Sequence, residues 1–308
     1  MRVSASPPLP SARFVGTAGV RSRRLTDRLA TAILWGMAIS IIVMLALFVF
    51  YMLFLGARYI TPGFLFGLPG ESSEAGGGIG PEIFNSFYIL TLTLLMTVPI
   101  AVSAGVYIQE YARPGRFRAL VQFSAEALAT VPSIVMGLFG LLIFIYFFHL
   151  RFSAIVGAMT LTLLNLPALM RVTQEAMRTV PDSLREASMS LGATKWQTVT
   201  KAVMPSAIGP MTTGVVLIAG RIFGETAALI YTAGLSVSAN SPYDFSLTHS
   251  AETLAVHLWY TRSESLVPDV DRIGNGSALV LLFMVLVFNV AARVLGRFLS
   301  KRLTGKSS

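Results

Sequence analysis

Six long apolar stretches restrict the fold of this sequence more than any other feature. A bilayer core about 30 Å thick requires roughly 20 apolar residues for each helical crossing. Apolar residues make up 54% of the chain and charged residues only 13%, a balance typical of membrane proteins. We therefore predict an all-α integral membrane protein with six transmembrane helices, near residues 30–55, 84–109, 119–148, 153–175, 207–231 and 276–299.

The positions of the basic residues predict the orientation of these helices. Lys and Arg cluster before the first stretch, between the second and third, between the fourth and fifth, and after the sixth. Because such residues are retained in the cytoplasm, we expect both termini there, and the net charge of +9 needs no nucleic-acid partner. Residues 1–29 should be disordered, 30–55 should form the first helix, 84–299 the main membrane domain, and 300–308 a cytoplasmic tail.

The cytoplasmic connection 180–205, "VPDSLREASMSLGATKWQTVTKAVMP", contains the signals of a short helix. Ser183 and Glu186 have the spacing of a capping box, so we expect Ser183 to cap the helix. Gly192 can end the helix, because glycine adopts the left-handed conformation without a steric penalty. Leu184, Met189 and Leu191 would supply apolar contacts.

A second helix should follow almost at once. Thr194 and Gln197 repeat the capping spacing, and Pro205 is expected to end this helix before the next span. Two short helices joined at a glycine would form a rigid projection outside the membrane. The alternative interpretation is an amphipathic segment that re-enters the membrane surface.

The stretch "EASMSLGA" carries a family resemblance through Glu186, Ala187, Gly192 and Ala193, followed by Pro205. It resembles the EAA loop of permease subunits of bacterial ABC importers. The resemblance implies the type I permease fold of ABC importers, with a cytoplasmic coupling helix that docks on an ATPase subunit.

Two further stretches, "VPSIVMGLFG" (131–140) and "GRIFGETAALIYTAG" (220–234), resemble the PstA-type permeases of phosphate-specific ABC importers. The resemblance implies a heterodimer with a PstC-type sister permease, two ATPase subunits and an extracytoplasmic phosphate-binding protein, in the bacterial inner (plasma) membrane. The chain would import phosphate, would not be an enzyme, and would use ATP only through its partner. The alternatives are a permease for sulfate or molybdate, and an ATP-independent anion transporter.

Arg221 and Glu225 lie four residues apart in an otherwise apolar run. A charge at the bilayer centre costs about 2.5 to 3.5 kcal/mol, and a spacing of four would place both on one helical face. Gly220 and Gly224 would let a backbone or an anion approach. We expect Arg221 to contact phosphate in transit and Glu225 to moderate its affinity. The alternative is an ion pair that only fixes helix packing.

Arg171, with Glu175 four residues later, is a second candidate for the substrate path. The resemblance to PstA-type permeases implies that an arginine at this place is important for transport. The alternative is that Arg171, near the end of a span, extends its side chain to the membrane interface. Glu126 and Asn165, also in apolar context, would bond between helices. Pro132 beside Ser133 is the candidate gate hinge, because proline removes a helix hydrogen bond.

No cluster in the sequence indicates catalysis or metal binding. His149, His249 and His257 lack metal-ligand spacing and are expected at interfaces or in loops. There is no cysteine, so thiolate chemistry is excluded. The segment "AETLAVHLWY" within the loop 232–275 should form a short interfacial helix.

Overall fold

The computed structural model describes residues 17–70, 77–237, 241–263 and 269–304. Within these ranges the chain is almost entirely helical, and the β-type contacts are two isolated bridges, Pro69 with Gly77 and Val237 with Ala251. The chain divides into two units, Met1–Phe54 and Leu55–Ser308. Each unit is described by itself.

The first unit contains most of one long helix, α1 (Thr17–Gly56). The large apolar side chains of its apolar part are exposed, as a lipid-facing span requires. This helix begins inside the segment expected to be disordered, so that expectation is wrong for residues 17–29. The last proline of the segment is Pro10, and no later proline interrupts the helix ahead of the apolar run. Residues 1–16 lie outside the described residues.

The second unit contains eleven described α-helices. They are α2 (Pro62–Phe66), α3 (Gly80–Val106), α4 (Arg116–Ala129), α5 (Ser133–Gly140), α6 (Ala154–Arg178), α7 (Asp182–Ser190), α8 (Lys195–Thr198), α9 (Met204–Phe223), α10 (Ala227–Ile230), α11 (Leu254–Ser263) and α12 (Val270–Thr304). Three π turns adjoin α3, α5 and α9: Tyr107–Tyr111, Leu141–Phe147 and Val199–Val203.

The predicted fold class is confirmed. Five helical runs in the described chain are long and apolar enough to cross a membrane, and one bent pair of helices supplies a sixth crossing. The five runs are Thr26–Tyr59, Gly80–Tyr111, Ala154–Arg178, Lys195–Phe223 and Val270–Val294. The predicted interfacial segment also forms a helix, α11.

The third predicted span, 119–148, is not one continuous helix. It divides between α4 and the α5 run, which meet at an angle of 102°. Pro132 lies at the break with an extended backbone (φ −58°, ψ 143°). Because proline disfavours the helical conformation in the residue before it, α4 does not continue through Val131, and the chain changes direction there.

The fifth predicted span, 207–231, is shifted toward the N-terminus. The observed helical run extends over Lys195–Phe223 without interruption, so the expectation that Pro205 separates a short helix from the span is wrong. The π turn Val199–Val203 precedes α9 directly. A π turn alters the hydrogen-bond register, and a proline without an N–H is tolerated in the first turn of the α-helix that follows.

The helix α6 lies at the centre of the second unit, and 61% of its apolar 18-residue segment is buried. It packs against α3, α9 and α4, and its buried side chains Leu161, Leu164 and Leu169 belong to the main apolar cluster. Small residues allow this close packing. A Cβ atom added at Gly105 of α3 would lie 2.7 Å from the Cβ of Thr173 and 2.8 Å from the carbonyl oxygen of Met170.

We expect Gly105→Ala to lower the thermal midpoint of the detergent-solubilised chain by several degrees. The added methyl group overpacks the α3–α6 contact, and overpacking costs about 1 to 3 kcal/mol. The control is Gly36→Ala in α1, where an added Cβ has no described atom within 4 Å. Equal midpoints for the two variants would contradict the packing described for α3 and α6.

Candidate functional site

The two stretches that resemble phosphate permeases pack against each other. Gly137 of α5 approaches the backbone of α10 so closely that an added Cβ would lie 2.9 Å from the Cα of Ala228. An added Cβ at Gly140 would likewise lie 2.8 Å from Cγ2 of Thr232. The break between α4 and α5 and the break between α9 and α10 are therefore parts of one region of the molecule.

Arg221 lies in the last turn of α9, which ends at Phe223. Glu225 follows the end of the helix, so the prediction that both residues share one helical face is wrong. The N–H groups of Gly224 and Glu225 bond back only three residues, to Arg221 and Ile222. The helix ends in this tightened turn, because the hydrogen bonds from each N–H to the carbonyl four residues earlier are lost.

The Arg221 side chain is exposed on the chain surface and Glu225 is half-buried. Within the described ranges, neither side chain has a hydrogen-bond or ion-pair partner. The two glycines differ from each other. An added Cβ at Gly220 would lie 2.9 Å from Oδ1 of Asn289 on α12, whereas Gly224 has open space around it. The close approach of another group is therefore possible at Gly224 and not at Gly220.

Arg171 forms an ion pair with Glu126 across the α4–α6 contact, with 3.1 Å between Nη2 and Oε1. The partner is thus not Glu175, which pairs with Arg178 at 3.7 Å. The side chains of Arg171 and Glu126 are 61% and 64% exposed and line a cavity of about 290 Å³. The expectation that Glu126 bonds between helices is confirmed. Asn165, in contrast, donates to the carbonyl of Leu161 within α6.

The predicted turn between α7 and α8 is present. Gly192 has φ +83°, the left-handed conformation that favours glycine. Thr194 and Gln197 form a complete capping box at the start of α8. The prediction that Ser183 caps α7 is wrong, because α7 begins at Asp182 and Pro181 occupies the N-cap. Proline has a fixed φ and no N–H to satisfy, so the helix starts two residues earlier than the polar pattern indicates.

Four large apolar side chains are exposed on α7, α8 and the turn between them, among charged and polar neighbours. We call the exposed apolar residues of α7 and α8, together with the intervening turn, the docking surface: Leu184, Met189, Leu191 and Trp196. Leu191 is 89% exposed and Trp196 67%. Glu186, Ala187 and Gly192 are also exposed, and Ala193 is half-buried. An exposed apolar patch on one chain indicates an interaction surface, and Leu184, Met189 and Leu191 are the residues expected to supply apolar contacts.

Arg185 attaches α7 to the membrane helices, and sequence reasoning missed it. Its guanidinium donates to Glu110 at 2.7 and 3.2 Å, to the carbonyl of Val180 at 2.7 Å, and to that of Met177 at 2.9 Å. The hydrogen bond to Glu110 is the main cause that raises the pKa of Arg185 above its usual value. No local signal indicates this pair, because the two residues are 75 positions apart.

A second missed group lies at the start of α3. His257 was expected at an interface or in a loop, but it lies in α11 with its side chain 13% exposed. Its Nδ1 atom is 3.2 Å from Glu252 and 3.9 Å from Glu82. Burial lowers the pKa of His257, but the hydrogen bond and charge of Glu252 and the charge of Glu82 raise it to a net value above the ordinary one.

A helical membrane unit with a sharply broken span and an exposed, capped helix pair defines a permease of the ABC importer type I class. Residues 97–305 match the family described as binding-protein-dependent transport system inner membrane component. The chain belongs to this family, as a permease of the PstA type.

Individual relatives agree with this assignment. The chain is 41% identical to the probable ABC transporter permease protein YqgI of Bacillus subtilis, over 92% of this chain and 99% of that protein. It is 32% identical to the phosphate transport system permease protein PstA of Pasteurella multocida, over 76% and 78%. A chain from the crystal structure of a bacterial alginate ABC transporter shares the fold, with a TM-score of 0.65 at 16% identity, over 91% and 98%.

We expect Arg185→Ala to destabilise the chain by about 3 to 5 kcal/mol, because it leaves the buried carboxylate of Glu110 without its cation. The measurement is the thermal midpoint in detergent, together with protease cleavage within residues 180–205. The control Arg178→Ala removes an arginine that is 51% exposed, and should change stability by less than about 1 kcal/mol. Adding Glu110→Gln to Arg185→Ala should restore part of the loss. An Arg185→Ala variant as stable as the control would contradict the attachment described here.

Proposed function

We propose that this chain is one of two membrane subunits forming the path of an ATP-driven importer of inorganic phosphate. The observation that carries the proposal is Arg221, a guanidinium in a predominantly apolar run that has no carboxylate partner in the described chain. The membership in the PstA-type family supports phosphate as the substrate, since relatives such as the Pasteurella multocida protein are named for phosphate transport.

The chemistry of arginine suits this role. An arginine in a membrane segment costs about 2.5 to 3.5 kcal/mol, and no internal ion pair within the described residues offsets that cost at Arg221. A guanidinium keeps its charge at every working pH and presents a planar set of donors that matches phosphate oxygens. Arg221 also lies at a helix break, where open space around Gly224 permits an anion to approach the backbone. An anion in transit would compensate this charge.

We assign Glu225 and Arg171 supporting roles in the same path. Glu225 lies in the break four residues after Arg221, where its negative charge would weaken anion binding and favour release. The pair of Arg171 and Glu126 borders an open cavity, and the nearby carboxylate would similarly keep an anion from binding too tightly. The alternative role of Arg171 is a tie between α4 and α6 near the membrane surface.

The partners follow from the docking surface and the family. We propose that one of two ATPase subunits binds to the segment containing Glu186, Ala187, Gly192 and Ala193, and that a PstC-type sister permease completes a heterodimer that the second ATPase subunit also serves. An extracytoplasmic phosphate-binding protein would deliver the substrate. ATP would act only through the ATPase subunits. The basic residues at the ends of the spans support a bacterial inner-membrane protein with both termini in the cytoplasm.

Transport would proceed by alternating access. Closure of the ATPase dimer would move the docking surface, and the helices would rock so that the path opens to the loaded binding protein. Pro132 and Ser133 are the proposed gate hinge, since the chain turns by 102° between α4 and α5 and hinges are commonly a few residues at element ends.

The alternative substrates are other tetrahedral oxyanions such as sulfate or molybdate, because a guanidinium binds them in the same way. An ATP-independent anion transporter is a weaker alternative, since it gives no role to the exposed apolar docking surface.

We expect Arg221→Lys to reduce uptake of radiolabelled phosphate by about tenfold or more, since the loss of one charge-assisted hydrogen bond costs about 1.5 to 3 kcal/mol. The measurement uses proteoliposomes containing the complete transporter, with excess sulfate or molybdate as competitors. The matched control is Arg151→Lys, at an exposed arginine between α5 and α6, which should transport normally. Normal uptake by a correctly assembled Arg221→Lys complex would refute the transit role, and effective competition by sulfate would refute the choice of phosphate.

We expect Gly192→Ala to weaken coupling between ATP hydrolysis and uptake, because an alanine at φ +83° strains the turn by about 1 to 2 kcal/mol. The phosphate imported per ATP hydrolysed should fall, and less ATPase should co-purify. The control is Gly115→Ala, at another glycine with open space around it but with an extended backbone (φ 166°). If both variants couple as the unsubstituted protein does, the turn at Gly192 has no coupling role.

A further inference from the structure

Three side chains that are distant in sequence converge at the start of α3. Glu82 lies in the first turn of α3, Glu252 precedes α11, and His257 lies within α11. One potential ligand atom from each residue lies within 4.8 Å of the other two. The side chains of Glu82, Glu252 and His257 are 0%, 7% and 13% exposed.

The carboxylate of Glu82 is the part of this cluster that packing does not explain. Both of its oxygens are completely buried, and neither accepts a hydrogen bond from any described residue. Within the cluster, Nδ1 of His257 lies 3.9 Å from its Oε1. Buried carboxylates are expected to be paired, hydrogen-bonded or coordinated to a metal. Glu82 thus points into the cluster with two free acceptor atoms.

The separations suit a small divalent cation. A tetrahedral ion with ligand bonds of 2.0 to 2.1 Å holds its ligand atoms about 3.3 Å apart. The distances from Nδ1 of His257 to the oxygens of Glu252 and Glu82, 3.2 and 3.9 Å, bracket this value. Two carboxylates and a neutral imidazole carry a charge of −2, which a divalent cation balances.

We propose that Glu82, Glu252 and His257 bind one divalent transition cation, of the class represented by Zn²⁺. The mixture of carboxylate oxygens and an imidazole nitrogen matches zinc, whereas magnesium and calcium prefer oxygen ligands throughout. Three protein ligands leave a position for water. The proposal is independent of the transported species.

The site would fasten the segment before α11 to α3. Two hydrogen bonds already connect these elements: Nδ2 of Asn85 donates to the carbonyl of Glu252 at 3.1 Å, and the N–H of Leu254 donates to Oγ of Ser86 at 2.9 Å. A cation between Glu82, Glu252 and His257 would add a stronger link at the same junction. Its role would be to hold α11 in place, because the three side chains of the cluster are largely buried.

The test uses the untagged full-length chain in detergent, treated with a chelator and then titrated with Zn²⁺ alone. We expect one Zn²⁺ per chain by elemental analysis after desalting, and a thermal midpoint that rises with Zn²⁺. Glu82→Gln and His257→Gln should each weaken Zn²⁺ binding by at least about tenfold. The control is His249→Gln, whose exposed imidazole pairs with Asp244 outside the cluster.

Absence of stoichiometric Zn²⁺ uptake by the unsubstituted chain would overturn the proposal, and would indicate a carboxyl group that is buried in protonated form. Unchanged uptake by a folded Glu82→Gln or His257→Gln variant would also overturn it. If Glu82→Gln does not yield folded protein, His257→Gln alone decides, because its partly exposed ring tolerates replacement better. Loss of Zn²⁺ binding in His249→Gln would assign the ion to a different site.

Discussion

The structure depends on one constraint: backbone N–H and C=O groups that face lipid must be satisfied within their own helix. Most described residues obey it by lying in long helices. The chain departs from it at Thr130–Pro132 and at Gly224–Thr226, and these two breaks come together because Gly137 packs on the backbone of Ala228. Non-helical backbone at membrane depth is tolerated where protein or an aqueous cavity covers it. We propose that these two adjacent breaks border the region in which a polar solute crosses.

Three described carboxylates of the second unit lie at or near the ends of helices and face a basic side chain of another helix. Glu110 at the end of the α3 run holds Arg185 of α7, Glu126 near the end of α4 holds Arg171 of α6, and Glu82 at the start of α3 faces His257 of α11. Each carboxylate connects two helices, so the helix ends are fixed while the apolar middles remain free to pack against lipid or a partner. Arg221 is different, because no described carboxylate neutralises it.

Some local sequence signals predicted local structure, whereas the capping signal at Ser183 and the helix stop at Pro205 were wrong. The apolar stretches predicted the spans, Gly192 predicted a left-handed turn, and Thr194 with Gln197 predicted a capping box, because each signal acts within a few residues. The helix end at Phe223 was missed, since an isolated glycine in an apolar run does not by itself end a helix. Partners such as Glu110 for Arg185 were missed for a different reason: they are joined only by packing of α3 against α6, which no local pattern encodes. The assigned transport roles remain predictions.

The unbroken helical run from Lys195 to Phe223 has a mechanical consequence. At 1.5 Å per residue, its 29 residues make a strut about 43 Å long. One end carries Trp196 of the docking surface, and the other reaches Arg221. A stiff helix transmits an axial displacement with little loss, so a shift of a few ångströms at the Trp196 end would reach the Arg221 guanidinium at nearly full amplitude. The π turn Val199–Val203 near its base and Pro210 inside α9 are the points at which such a helix would bend.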